Sequence, residues 1–291
     1  AGNLGRDGYA TILSPGNNPH VITVGAMKTM FTYPNSDDLI ASYSSRGPTD
    51  IDLTVKPDIV APGNLVDSLL APGSTLQSTF PGNIVPASQY TTNTKAGGPY
   101  YFTLSGTSMA TPVVSGTVAL MLQANPSLTP DTIKARLMKS ASKTFPLFSS
   151  VTDPTTGMTY TDTYDIFTVG SGYLNIANAL QNQETAYYPA LSPQVTYNSL
   201  LQTALLVPNT ASLWWNDPSM ATSAVWGSTV LVPNATSAVW GSSAVWGSSA
   251  VWGSSAVWGS SAVWGSSAVW GSSAVWGSSA VWGSSVGSGE K

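Results

Sequence analysis

Apolar positions in the first 182 residues fall into short β-branched runs and two longer helical patterns, with turn residues between them. His20-Val-Ile-Thr-Val-Gly-Ala26 reads as a strand ended by Gly25, and Lys56-Pro-Asp-Ile-Val-Ala-Pro-Gly63 as a second short strand boxed by prolines. From Thr107 the period changes to that of a helix. Val114, Val118, Leu120, Met121 and Leu122 are apolar, Ser115, Gly116 and Ala119 are small, and Asn125-Pro126 stops the run. Thr129-Pro-Asp131 starts another helix, with Thr129 as N-cap, Pro130 at the first helical position and Asp131 at the positive end of the dipole. Ile133, Leu137 and Met138 keep its spacing, interleaved with Lys134, Arg136 and Lys139. A third, short helix follows Asn175. Alternating strands and helices predict an α/β domain built on a mostly parallel sheet.

The pattern changes after residue 182. Residues 183–223 read as a connector with four prolines among polar residues, and 224–289 as a tail of different material. Ala-Val-Trp-Gly-Ser-Ser occurs there in eight uninterrupted copies, from Ala238 to Ser285. Six is even, so on an extended strand every Trp falls on one face, one per ~20 Å at ~3.3 Å per residue. Tryptophan in every copy argues for β-structure rather than a Gly/Ser linker. An uncharged Val/Trp strand without proline is also a self-association element, so the tail is expected to mediate assembly, in the extreme as filaments.

Composition sharpens this division. Charged residues make up 8% of the 291, and none occurs from 218 to 289. All eleven tryptophans lie at or beyond Trp214. A net charge of −4 with ten dispersed basic residues excludes a nucleic-acid partner, which would need a basic stripe. No run of about 18 apolar residues forms a membrane span. With no cysteine there are no disulfides and no thiolate metal sites. Asp153, Asp162 and Asp165 are the carboxylates a structural calcium would use, but their spacing fits no dedicated loop, so solvated loop positions are expected and no metal ligand is assigned.

The segment that carries chemistry is Gly106-Thr-Ser-Met-Ala-Thr-Pro112. It sets Ser108 at a turn into a helix, where the hydroxyl is exposed and the helix N-terminus favours developing negative charge. This stretch resembles the signature around the catalytic serine of subtilisin-like serine peptidases, the subtilases. Ala1-Gly-Asn3, Ser14-Pro15-Gly16, Pro19 to Ala26, Ser44-Ser-Arg-Gly-Pro48, Lys56 to Gly63 and Gly170-Ser-Gly-Tyr-Leu-Asn175 resemble further family segments in the expected order, over residues 1–182.

The resemblance implies a subtilisin-like sheet flanked by helices, of which the C-terminal half is present. It implies a secreted endopeptidase acting on protein or peptide substrates, with Ser108 as nucleophile and Asn3 as oxyanion donor. Gly2 and Leu13 would line the substrate pocket, Leu13 making it shallower than usual, and a cis bond would precede Pro15. Asp58 matches a position near a weak cation site of some relatives, beside the plainer reading of a solvated surface Asp.

The triad order Asp, His, Ser of the family leaves Asp and His unplaced here. The single histidine, His20, opens a strand-like segment and reads as a strand-end residue. Three explanations stay open: cleavage before Ala1 with the pieces still associated, a partial sequence, or abandoned catalysis. A sheet cut in mid-domain would expose an unpaired edge, so a second polypeptide or N-terminal segment carrying Asp and His is expected as partner. The alternative to an enzyme is an assembly protein on a subtilase scaffold, with the repeat carrying the function.

Overall fold

The computed structural model describes residues 1–92, 98–154, 156–198 and 203–221, together with Val225 and Glu290. The repeat, and with it the expected β-rich tail, lies outside the described residues.

The centre is β1 (Val24–Lys28), buried at every position. It pairs in parallel with β3 (Ile59–Pro62), from Val24 opposite Ile59 to Met27 opposite Pro62. On its other edge β2 (Leu39–Ile40) runs antiparallel. A parallel bridge from Val60 to Tyr173 extends the layer beyond β3.

A strand buried on both faces sends alternate side chains to two cores. Val24, Ala26, Ile59 and Ala61 face a cluster with Ala110, Val114 and Met121 of helix α2 (Thr107–Ala124) and Ile133 and Leu137 of α3 (Pro130–Ser140). Met27 and Val60 face the other cluster, with Ile40, Phe167, Val169 and Trp214. Ala26, Ala61 and Ala110 are fully buried, and their small size lets α2 lie close on the strands.

The remaining sheets are antiparallel. Strands β4 (Val66–Leu69), β5 (Ile84–Val85) and β6 (Tyr101–Leu104) form one in the order β4-β6-β5, and α1 (Thr75–Thr79) lies in the loop between β4 and β5. β7 (Phe148–Thr152) and β8 (Thr159–Thr163) form a hairpin. The expectation of a mostly parallel sheet is therefore corrected to mixed sheets. Only β1, β3 and the Tyr173 bridge run parallel among the described residues, because short connections such as that between β7 and β8 leave no room for a crossover.

The helices match their sequence signals closely. α2 ends one residue before Asn125, whose extended conformation is the one a following proline imposes. The Thr129 hydroxyl accepts the Thr132 N–H at 3.2 Å, and the Asn175 side chain caps α4 (Ile176–Gln181) in the same way. The strands begin later than expected. β1 starts at Val24 rather than His20, and β3 at Ile59 rather than Lys56, because Pro57 has no N–H to donate and Asp58 bonds across to Thr23. The stretch 183–223 contains β9 (Val195–Asn198), β10 (Thr203–Leu206) and α5 (Leu213–Asn216). From it Ala190, Val195, Leu213 and Trp214 pack into the core, and the Trp214 indole N–H donates to the Leu191 carbonyl.

Candidate active site

Gly106 links β6 to α2 with φ +149°, a conformation open to glycine. A Cβ there would stand 3.2 Å from Nδ2 of Asn3, so the missing side chain also makes room for that amide. The Gly106 N–H donates to the Gly63 carbonyl at 2.8 Å, just past the end of β3, which places the turn at the C-terminal edge of the parallel strands. Ligand sites of open α/β sheets collect at that edge.

Thr107 ties the first segment of the chain to this turn. Its N–H donates to Oδ1 of Asn3 at 2.9 Å, and its hydroxyl approaches Oδ1 at 3.2 Å. A backbone N–H can only donate, so the atom it meets is the oxygen, and Nδ2 is left as a donor beside Gly106. The Thr107 hydroxyl also accepts the Gly2 N–H at 3.1 Å. In the first turn of α2, Met109 and Ala110 both donate to the Gly106 carbonyl. Within that turn, Ser108 keeps an N–H without an acceptor among the described residues. Ser108 is half-buried, and its N–H and the Asn3 Nδ2 both lie within 3.7 Å of the place a Gly106 Cβ would occupy.

Gly2 and Leu13 meet on the near side of Asn3. Gly2 has φ +116°, and a Cβ on it would lie 2.8 Å from Ser45 Oγ and 2.9 Å from Leu13 Cγ. Leu13 is held by its N–H to the Ala1 carbonyl, and the expected cis bond precedes Pro15. Beyond Ser108, an apolar hollow of about 410 Å³ is lined by Met109, Pro112 and Val113 of α2 and by Leu69, Leu70 and Phe102.

A scan of family models matches residues 1–173 to the subtilase family. The chain belongs to the subtilase family. It is 46% identical over 143 residues to serine protease AprX of Bacillus subtilis, covering 49% of this chain and 29% of AprX. It is 30% identical over 162 residues to subtilisin-like protease SBT3.9 of Arabidopsis thaliana, covering 55% of this chain and 18% of that protein. Among solved structures, the Clostridium perfringens CspB protease aligns over 60% of this chain and 30% of its own, at 25% identity and a TM-score of 0.39. The chain spans less than a third of the length of the curated subtilases it matches.

His20 of this subtilase chain sits on an exposed turn, its N–H bonded to Asn18. Its neighbours Pro19 and Val21 give their carbonyls to Lys134 and Lys56, ahead of the N-terminal ends of β1 and β3. That is the edge opposite Ser108, so the structure does not bring the two together.

The expectation of solvated aspartates is corrected at three positions. Asp58 is buried, at 1% exposure. One of its carboxylate oxygens accepts from Lys56 Nζ and from the Thr23 N–H, each at 2.7 Å. The other lies 3.3 Å from Lys134 Nζ and accepts from the Ser192 hydroxyl. Two ammonium groups thus meet this one buried carboxylate. Burial works to raise the Asp58 pKa, but Lys134 and Lys56 outweigh it and hold the carboxyl below the ordinary carboxylate range. Asp162 is buried against Arg46 at 3.1 Å, and Asp165 accepts from the Tyr9 hydroxyl and from the N–H groups of Phe167 and Thr168. Among the described residues, no group of three or more His, Asp or Glu is placed to hold a metal ion, and no helix is long and apolar enough to cross a membrane.

Sequence reasoning missed Thr107 as the residue that fixes the Asn3 amide. The signal was its place directly before Ser108, but its partner lies 104 residues away.

Proposed function

We propose that this chain is the nucleophile-bearing part of a secreted subtilisin-like serine endopeptidase. The observation that carries the reading is the pair of unspent donors at the Gly106 turn, with the Asn3 amide turned by Thr107 so that Nδ2 lies beside Gly106, on the side of the Ser108 N–H. In this mechanism the Ser108 hydroxyl attacks the peptide carbonyl. The carbonyl oxygen, now negative, sits between Nδ2 of Asn3 and the Ser108 N–H. Collapse expels the amine and leaves an acyl group on Ser108, which water then removes.

The proton of Ser108 must go to a base, and His20 lies at the wrong edge. The reading therefore assigns Asp and His to sequence outside this chain. The surface of α2 supports it. This helix has no charged residue in 18, and such uncharged, largely apolar helices are more often buried than solvent-facing. Yet Leu120 is 45% exposed and Leu122 36%, with Ser115, Gly116 and Ala119 exposed beside them. With the hollow at Pro112 and Val113, this face is the surface on which the segment carrying Asp and His would pack.

Replacing Asn3 by Ala is expected to lower kcat of the assembled enzyme by about 10²–10³-fold with KM nearly unchanged, the magnitude known for subtilisin itself. Steady-state kinetics on a chromogenic peptide checks this, and an unaltered kcat removes Asn3 from the reaction.

Leu13 against Gly2 gives the specificity its direction. A shallow pocket should favour small or medium side chains before the scissile bond, and Leu13→Gly should admit phenylalanine at least about tenfold better, since even one methylene in an apolar pocket is worth about 1–3 kcal/mol. Profiling a peptide library varied at that position decides it. Preference for large aromatics by the unaltered enzyme would refute the pocket assignment.

A further inference from the structure

Lys28 ends β1 with 4% exposure, and a buried ammonium needs a counter-charge. The only carboxylate within 4 Å of it among the described residues is Glu290, 262 positions away in sequence, at 3.1 Å. Arg6 meets the other oxygen of the same carboxylate at 3.1 Å. The Ser42 N–H donates to the first oxygen at 3.1 Å, and the Ser42 hydroxyl donates to the second. Arg6 is already positioned without Glu290, by Asp153 at 2.7 Å, by Ser42 Oγ at 2.9 Å and by the Tyr160 ring at 4.7 Å.

The backbone of Glu290 is read as well as its side chain. Its N–H donates to Oδ1 of Asn64 at 2.8 Å, and its carbonyl accepts from Nδ2 of Asn64 at 2.6 Å. These contacts fit a glutamate with peptide groups on both sides, not a free carboxylate. Glu290 is itself 6% exposed and Asn64 7%.

We infer that Arg6, Lys28, Ser42 and Asn64 form a glutamyl-peptide site that latches Glu290, the end of the repeat tail, onto the subtilase body of the same chain. The 65 positions from Val225 to Glu290 allow a reach of over about 200 Å, so the tail is long enough to return to its own body. Burial works to raise the Glu290 pKa, but Ser42, Lys28 and Arg6 hold it below the ordinary range, so the latch carries its charge at neutral pH. The site touches both segments of the candidate active site. Arg6 follows Asn3 by three residues, and Asn64 follows Gly63, whose carbonyl holds Gly106. The latch itself does not depend on the catalytic reading.

Hydrogen exchange on the full chain tests it, with Glu290→Gln and Lys28→Met as the variants. With Glu290 released from the site, the Ser42 amide is expected to exchange at least about tenfold faster in both, while the Thr23 amide, held by Asp58, stays protected. Lys28→Met removes the buried cation together with its need for a partner, so it reports even where E290Q does not fold. An acetylated Gly-Ser-Gly-Glu-Lys amide at millimolar concentration should restore protection to E290Q, and the same peptide with Gln should not. Unchanged Ser42 exchange in Lys28→Met, or equal rescue by both peptides, overturns the site. Light scattering is the second reading. A particle mass that falls in E290Q would assign the glutamate to a neighbouring copy and overturn the latch within one chain.

Discussion

Ser108→Ala in the assembled enzyme is expected to cut kcat by about a million-fold, the size known for loss of the nucleophile in subtilisin itself rather than one deduced from this chain. The side chain is half-buried and sits in the first turn of α2, making no structural hydrogen bond among the described residues. Removing one oxygen there should leave the thermal midpoint within about 2–4 °C of the parent, the shift that a small surface change produces. Loss of turnover with unchanged stability separates chemistry from folding. Residual activity should remain above water, because the Asn3 amide and the Ser108 N–H survive the substitution. A variant that keeps more than about a tenth of parental kcat would show that another nucleophile does the work.

The second large effect is structural. Asp58→Asn is expected to cost about 3–5 kcal/mol, because it leaves Lys56 and Lys134 buried without the carboxylate that balances them. Against a total of about 5–15 kcal/mol that is a large share, and it lowers the thermal midpoint by about 6–20 °C. Urea denaturation followed by tryptophan fluorescence measures it. The double variant D58N with Lys134→Met should recover part of the loss, since removing one buried cation relieves the imbalance. A change under about 1 kcal/mol would show that the Lys56–Asp58–Lys134 cluster adds no net stability.

The same group sets a pH dependence. Its folded pKa lies below the unfolded value of about 3.9. Its contribution is therefore complete above about pH 5 and is lost as pH falls through the folded pKa. In D58N this acid-side slope should be reduced.

What the sequence made legible was local. Thr129, Pro130 and Asp131 are adjacent, so the start of α3 could be read from three letters, and Asn125-Pro126 likewise marked the end of α2. Ser108 and its turn were readable because the chemistry lies in seven consecutive residues. What stayed hidden depends on pairing at a distance. Asp58 reads locally as a surface residue, and its partner Lys134 lies 76 positions on, in helix α3. Lys28 and Glu290 are separated by nearly the whole chain, and no local pattern marks the last glutamate as an anchor. Trp214 sits among the prolines and polar residues of the expected connector, yet its indole packs in the core. Charged residues were the least predictable, since their burial is decided by partners rather than by their own preference.

The central claim is that Ser108 is an activated nucleophile whose base comes from outside this chain. The most direct measurement is covalent labelling of the native protein with a fluorophosphonate, followed by mass mapping of the modified residue. The account predicts one adduct, on Ser108, formed when the segment bearing Asp and His is present and at least about a thousandfold slower on the 291-residue chain alone. Labelling of a different residue, or equal labelling of the isolated chain, would contradict it.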